Sequence, residues 1–268
     1  MRTKRSWLLR LIMVTGYAFL YLPIISLIVF SFNASRQVTV WTAFSFRWYR
    51  TLFQNEILLT AAWMSLKVAL LTASLAVVLG TLVAVGLIRW GRFSGRGLFS
   101  ILTAAPLVMP EVITGLSLLL LFVTLEQSFG WPARGITTIT IAHTTLCLAY
   151  VAIIVRTRLS EMDPSLEEAA LDLGARPLKV FFAITLPIIS PALISGWLLA
   201  FVLSLDDLVI ASFVAGPGSS TLPMVIFSSV RYGMSPEINA LATLIITLVA
   251  IGVMIAGIIL SRHQRVER

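Results

Sequence analysis

Three carboxylates stand inside long apolar runs: Glu111 in MPEVITG, and Asp206 with Asp207 in FVLSLDDLVIASF. An aspartate at the centre of a bilayer costs about 2.5–3.5 kcal/mol on insertion scales. Acids at such depth therefore face a bundle interior or a watery cavity, where they can attract cations. A second acidic group has a different setting. The stretch EEAALDLGARP, residues 167–177, places Glu167, Glu168 and Asp172 between two greasy segments. It is far shorter than the ~20 apolar residues that cross a bilayer.

Little other chemistry is available. Two histidines cannot make a metal cluster, and there is no HExxH. His143 reads as a packed or helix-bonded imidazole, and His263 belongs to the C-terminal tail. The one cysteine, Cys147, lies in an apolar run and permits no disulfide within the chain. No Ser/His/Asp set falls in a plausible frame, so neither catalytic residues nor a metal site is expected. A G-x-x-x-x-G-K-[ST] phosphate loop is absent too; GRFSGRGLF has glycines without that spacing or lysine. If ATP drives this chain, another chain binds it.

The elements that must carry these residues are membrane helices. Apolar residues make up 58% of the chain and charged ones 12%, with a mean hydropathy of +0.96; a soluble protein typically has about 25% charged residues. An all-α polytopic membrane protein is expected, with six apolar spans near 11–32, 63–88, 98–124, 136–155, 187–213 and 240–260. No alternating β-barrel pattern, internal repeat or low-complexity tract interrupts them. The first run is longer than the ~7–15 residues of a signal-peptide core and no A-x-A site follows, so it reads as an uncleaved span.

The net charge of +8 comes from cations that flank the apolar runs. Orientation and lipid headgroups explain them better than nucleic acid. Arg2, Lys4, Arg5 and Arg10, then Arg89, Arg92 and Arg96, then Arg156, Arg158, Arg176 and Lys179, and finally Arg262, Arg265 and Arg268 define one side. By the positive-inside rule both termini and residues 167–177 are cytoplasmic. The expected division is an N-terminal tail, first span and aromatic-rich outer loop over 1–62, a transmembrane domain over 63–260, and a tail over 261–268. Residues 33–62, rich in Trp, Phe and Tyr, could lie as a lid at the interface; 214–239 form a turn-rich outer loop.

Depth follows from helix rise. At ~1.5 Å per residue Glu111 lies about 20 Å from Leu98, near mid-membrane, with Pro106 and Pro110 freeing backbone carbonyls beside it. Broken helices of this kind line transport cavities. Asp206 and Asp207 lie about 28–30 Å from Pro187, near the outer mouth, where helix-end caps are the alternative reading.

The acidic stretch carries its own punctuation. Asp163 suits an N-cap and Pro164 the first helical position, while Ser165 with Glu168 offers a competing capping box. The helix should end near Leu173 with Gly174 left-handed, and Pro177 should open a second helix running to Pro187. Leu166, Ala169, Ala170 and Leu173 share one face; Glu168 and Asp172 stand on the other. Anionic headgroups would repel that face, so a protein partner fits it better.

The pattern E-A-A-x3-G-x9-I-x-L-P, at Glu168, Ala169, Ala170, Gly174, Ile184, Leu186 and Pro187, resembles the cytoplasmic coupling motif of ABC-importer permeases. Longer blocks, APLVMPEVITGLSLLLLFV, ISGWLLAFVLSLDDLVIASFVAGPGSSTLPM and SPEINALATLI, resemble the polyamine importer permeases, the putrescine type in particular. The resemblance implies a type I ABC-importer permease fold: six transmembrane helices and a coupling motif over 163–187. In it the bent helix, with Asp172 on its anionic face, docks on a separate ATPase subunit. It further implies a heterodimer with a second permease, two ATPase subunits, and a periplasmic binding protein that delivers putrescine or spermidine. ATP and Mg would then sit on the ATPase, and this chain would bind no cofactor.

A polyamine is a chain of ammonium groups joined by methylenes. Its path needs spaced carboxylates, for which Glu111, Asp206 and Asp207 are candidates. It also needs aromatic faces for cation–π contact, for which Trp197 and Phe201, at i and i+4, are candidates. Packing is the alternative for the two aromatics, and pairing with a sister permease's arginines the alternative for the aspartates. A permease for another cationic solute, or a secondary transporter or channel acting alone, stays open at this point.

Overall fold

The computed structural model describes residues 2–37, 40–91, 93–232 and 235–266. Arg92 and Arg268 lie outside the described residues, as do the side chains of Arg2, Lys4, Arg5, Arg262, His263 and Arg265. Apart from one isolated bridge, Asn33 to Phe44, the described residues form helices and connections. The helices are α1 (Arg2–Ser31), α2 (Arg47–Gln54), α3 (Glu56–Arg89), α4 (Arg96–Val108), α5 (Glu111–Phe129), α6 (Ile136–Glu161) and α7 (Ser165–Asp172). There follow α8 (Pro177–Val180), a π-helical turn (Phe181–Thr185), α9 (Leu186–Asp206), α10 (Val209–Val214), α11 (Leu222–Tyr232) and α12 (Pro236–Val266).

Five stretches are long and apolar enough to cross a membrane: Leu9–Ser31, Glu56–Arg89, Glu111–Phe129, Ile136–Glu161 and Pro177–Asp206. The sixth expected span falls within α12. Two boundaries differ from expectation, and the third span is broken at its second proline. The second span begins at Glu56, because Asn55 Oδ1 accepts the Leu58 N–H and caps it, so the outer loop is shorter than 33–62. The third span is two helices, interrupted at Met109 and Pro110, where proline lacks the N–H that would continue α4. The fifth begins at Pro177, runs past Pro187 and stops at Asp206 rather than residue 213.

The passage through Pro187 has a mechanical reason. A proline ring collides with the carbonyl four residues earlier, here that of Ala183. Ala183 lies in the π turn, whose wider winding accommodates the ring, and the helix continues instead of ending.

The chain divides into two compact units: the described residues of Met1–Leu59 with Ile226–Arg268, and Thr60–Val225. In the first, α12 packs against α1 and α2. The aromatic-rich segment is folded rather than splayed, with Phe32 stacked on Phe44 and set against Phe46 and Tyr49. Trp48 is buried and donates its Nε1–H to the Asn33 carbonyl at 2.6 Å.

In the second unit α6 is the central helix, with 67% of its apolar window buried against 11% for α5. One core joins Ala73, Ala76 and Ala84 of α3 to Cys147, Val151, Val155 and Leu159 of α6 and to Ile189 and Ala200 of α9. A second gathers Val68, Phe122, Ile139 and Ala142 around Ile210, Ala211 and Val214 of α10. Alanine is frequent at these contacts because lipid is as apolar as leucine. Close backbone approach, not exclusion of water, is what holds such helices together.

Candidate functional site

The acidic stretch folds largely as its residues dictate. Asp163 Oδ1 accepts the Ser165 N–H at 3.0 Å, so Asp163, and not a Ser165–Glu168 box, caps the first turn. That donor also holds the Asp163 carboxyl below its ordinary range. At the other end Gly174 has φ +83°. Its N–H donates to the Leu171 carbonyl and the Ala175 N–H to that of Ala170, the paired bonds of a Schellman cap. The chain turns there, and Pro177 opens α8 as expected.

The distribution of faces brings one surprise. Leu166 and Leu173, expected on a shared apolar face, are 47% and 90% exposed, and Glu168, Ala169 and Asp172 are exposed with them. The anchored residue is Glu167. Its Oε2 lies 3.0 Å from Arg89 Nε at the end of α3, and its Oε1 accepts the Thr185 hydroxyl at 2.6 Å. The Arg89 contact is close but bent away from a straight hydrogen bond, and Arg89 Nη2 has no partner among the described residues. Beside the pair lies a cavity of about 400 Å³, lined by Val85, Leu171, Val180 and Phe181 among others. Glu167 thus ties α7 to α3 and to the π turn, with Ile184 and Leu186 of the motif half-buried beside Thr185 and Pro187 exposed. Nothing local distinguishes Glu167 from Glu168; only the distant Arg89 does.

The intramembrane acids are dispersed. Glu111 is exposed in the first turn of α5, just after the Met109–Pro110 break. Asp206 is exposed at the last residue of α9. Asp207 is turned inward, its side chain 6% exposed, and its Oδ1 accepts the Ala211 N–H at 2.8 Å and so starts α10. His143 of α6 faces it: Nδ1 is hydrogen-bonded to Ser204 Oγ at 2.8 Å, while Nε2 lies 3.1 Å from Asp207 Oδ1, close but bent away from hydrogen-bond geometry. The imidazole is packed, as the sequence suggests, but its partners are a carboxylate and a hydroxyl. The signal was a histidine and an S-L-D-D run in two apolar segments, with no rule to pair them.

Trp197 and Phe201 share a face and stack on each other, ring centroids 5.3 Å apart at 9°. Both are half-buried against the α3–α6–α9 core, and Trp197 Nε1 donates to Ser74 Oγ at 3.3 Å. Among the described residues no group of three or more His, Cys, Asp or Glu could hold a metal ion. A cavity of about 290 Å³ between α3, α4 and α6 is lined by apolar side chains and threonines and reaches none of the acids.

A family described as "Binding-protein-dependent transport system inner membrane component" matches residues 76–266. The putrescine transport system permease protein PotI of Escherichia coli (strain K12) is 58% identical over 255 residues, covering 95% of this chain and 91% of that protein. The spermidine/putrescine transport system permease protein PotC of Haemophilus influenzae is 40% identical over 261 residues, 97% of this chain and 99% of that one. Among solved structures, a bacterial ABC transporter that imports the acidic polysaccharide alginate superposes with a TM-score of 0.71 at 17% identity, covering 98% of both chains. The MetNI methionine ABC transporter does so with a TM-score of 0.61 at 17% identity, over 76% of this chain and 94% of that one.

Proposed function

The chain belongs to the family of binding-protein-dependent transport system inner membrane components, and we propose that its cargo is a polyamine. As a member it is a permease subunit of an ATP-driven importer in the inner membrane. The reading of the cargo rests on one observation: identity of 58% to a putrescine permease across 95% of the chain. Carboxylates at Glu111, Asp206 and Asp207 suit a cation built of ammonium groups, and the stacked Trp197 and Phe201 offer aromatic faces. Weak, spaced attraction suits a passage, since a tight cage would retain what it should release.

In this reading α7 is the coupling helix. Its exposed residues Glu168, Ala169 and Asp172, with Ala170 half-buried beside them, meet an ATPase subunit. The Gly174 turn carries the displacement through Ile184, Leu186 and Pro187 into α9. ATP and Mg belong to a pair of ATPase subunits, and this chain binds no cofactor. A second permease completes the passage, a periplasmic binding protein delivers the cargo, lipid surrounds the spans, and nucleic acid has no part. Both termini face the cytoplasm, in keeping with the flanking cations. A stand-alone secondary transporter or channel, open on the sequence, gives way to family membership.

The test is to co-purify the chain with its neighbours and reconstitute the assembly. Putrescine or spermidine bound to the periplasmic protein should then stimulate ATP hydrolysis. Stimulation by an amino acid or sugar instead, with both amines inert, would overturn the polyamine assignment.

A further inference from the structure

Asp206 and Asp207 are adjacent in sequence yet have opposite surroundings. Asp207 is sealed: its side chain is 6% exposed, Oδ1 holds the Ala211 N–H, and His143 Nε2 stands 3.1 Å away with its own side chain 1% exposed. Asp206 is exposed and makes no ion pair among the described residues. Its position is unfavourable in isolation, because the C-terminal end of a helix repels an anion by about 0.3–1 kcal/mol. Of the two, Asp206 is the accessible carboxylate.

The separation depends on where α9 stops. At Asp207 the backbone is extended, ψ 124°, with no proline or glycine there to require it. Two side-chain contacts hold the break: Asp207 capping α10, and His143 reaching from α6 to both Asp207 and Ser204. The imidazole therefore bridges the last turn of α9 and the first residue beyond it. On its far side α10 lies against α5 at Gly115, where a Cβ would come within 2.7 Å of Phe213 Cδ2. Gly115 is one turn along from Glu111, so the short helix that His143 secures also rests on the helix carrying the other exposed acid.

We propose that His143 is a positioning residue for the cation path, whose clamp on Asp207 and Ser204 fixes the end of α9 and leaves Asp206 as the acid offered to a passing ammonium group. This rests on the polyamine reading. It divides the two aspartates into a cargo contact and a structural cap. Asparagine at 207 retains the Oδ1 acceptor for Ala211 and a neutral oxygen facing His143. Glutamine at 143 retains a polar amide that can meet Ser204 and Asp207, whereas leucine fills the space without one.

The test uses the complete transporter in vesicles. Asp206→Asn should slow putrescine uptake about tenfold, equivalent to ~1.4 kcal/mol, with the half-saturating concentration of putrescine-loaded binding protein unchanged. Asp207→Asn should lose at least about fivefold less. In a second arm an aqueous thiol reagent labels Asp206→Cys, against the buried Cys147 as background. His143→Leu should slow that labelling several-fold, and His143→Gln should restore it. If His143→Leu does not assemble, Ser204→Ala removes only the Nδ1 partner and should slow labelling in the same direction. Equal uptake losses in the two asparagine variants, or labelling indifferent to residues 143 and 204, would overturn the proposal. If loaded binding protein fails to stimulate even the wild-type transporter, the cargo reading itself has failed; if wild type is stimulated and Asp206→Asn takes up putrescine at the wild-type rate, only the present assignment has.

Discussion

Arg89 Nε and Glu167 Oε2 stand 3.0 Å apart, linking the end of α3 to the first turn of α7. Both side chains are about one-fifth exposed, 23% and 18%, so water screens the pair only partly. Glu167 also takes the Thr185 hydroxyl, which makes it the common anchor of α3, α7 and the π turn.

Glu167→Gln or Arg89→Ala should therefore loosen α7 by roughly 1–2 kcal/mol, between the values for exposed and buried pairs. ATP hydrolysis should continue while polyamine uptake per ATP falls. The exchanged pair, Arg89→Glu with Glu167→Arg, should recover part of the loss. An exchange no better than either single variant would mean that the contact carries no coupling.

At Gly174 the left-handed backbone, φ +83°, has open space where a Cβ would stand, so only conformational strain opposes substitution. Gly174→Val should cost about 1–2 kcal/mol locally, and Gly174→Asn less, since asparagine enters this region more readily. Transport and ATP turnover of the two variants, compared in vesicles, should follow the order glycine, asparagine, valine. Gly174→Asp adds negative charge at the face proposed to meet the ATPase and should uncouple more than asparagine does.

The Asp163 cap sets a pH limit on α7. Its carboxyl is lowered from the ordinary 3.8 by the Ser165 N–H. A depressed folded pKa contributes stability above 3.8, lost as pH falls through the folded value. Coupling at neutral pH should thus be unaffected by this titration, while Asp163→Ala should fray the first turn at neutral pH. Proteolytic nicking at 163–168, faster in Asp163→Ala and nearly unchanged in Asp163→Asn, is the readout.

In the other unit, Asn55 caps α3 through the Leu58 N–H and donates Nδ2–H to Glu237 Oε2 at 2.6 Å. Asn55→Ala removes both bonds and should destabilise by about 1–2 kcal/mol. A lower midpoint for thermal unfolding in detergent would register it, and Glu237→Gln, which keeps an acceptor, should lose less.

Glu111→Gln tests the second acid without disturbing a bond, because Glu111 is exposed at the start of α5. Uptake of putrescine should fall about fivefold, near 1 kcal/mol, with complex assembly unchanged. Unaltered uptake kinetics would remove Glu111 from the path.

Some breaks in the helices were legible because their causes are local. Pro110 ends α4 by lacking an N–H, and Gly174 ends α7 by accepting positive φ. The break after Asp206 has no such residue. There Asp207 starts α10 by accepting the Ala211 N–H, in line with the helix-end alternative for these aspartates. Its neighbour His143 belongs to another helix and is not announced by FVLSLDDLVIASF. The extension of the fifth span through Pro187 was missed for a related reason. A lone proline reads as a stop, but a π turn one step earlier relieves it.

From residues alone came the helical class, the apolar runs behind the spans, and the short acidic helix with its bend, since run length and capping chemistry each act over a few neighbouring positions. Which carboxylate of a pair is buried came only with the folded chain. Glu167 rather than its twin at 168 meets Arg89, and Asp207 rather than Asp206 meets His143. Glu167 and Glu168 point about 100° apart on one helix, and the extended backbone at Asp207 turns it away from Asp206. Their fates are therefore set by what each one faces, and that is decided by packing between segments far apart in the chain.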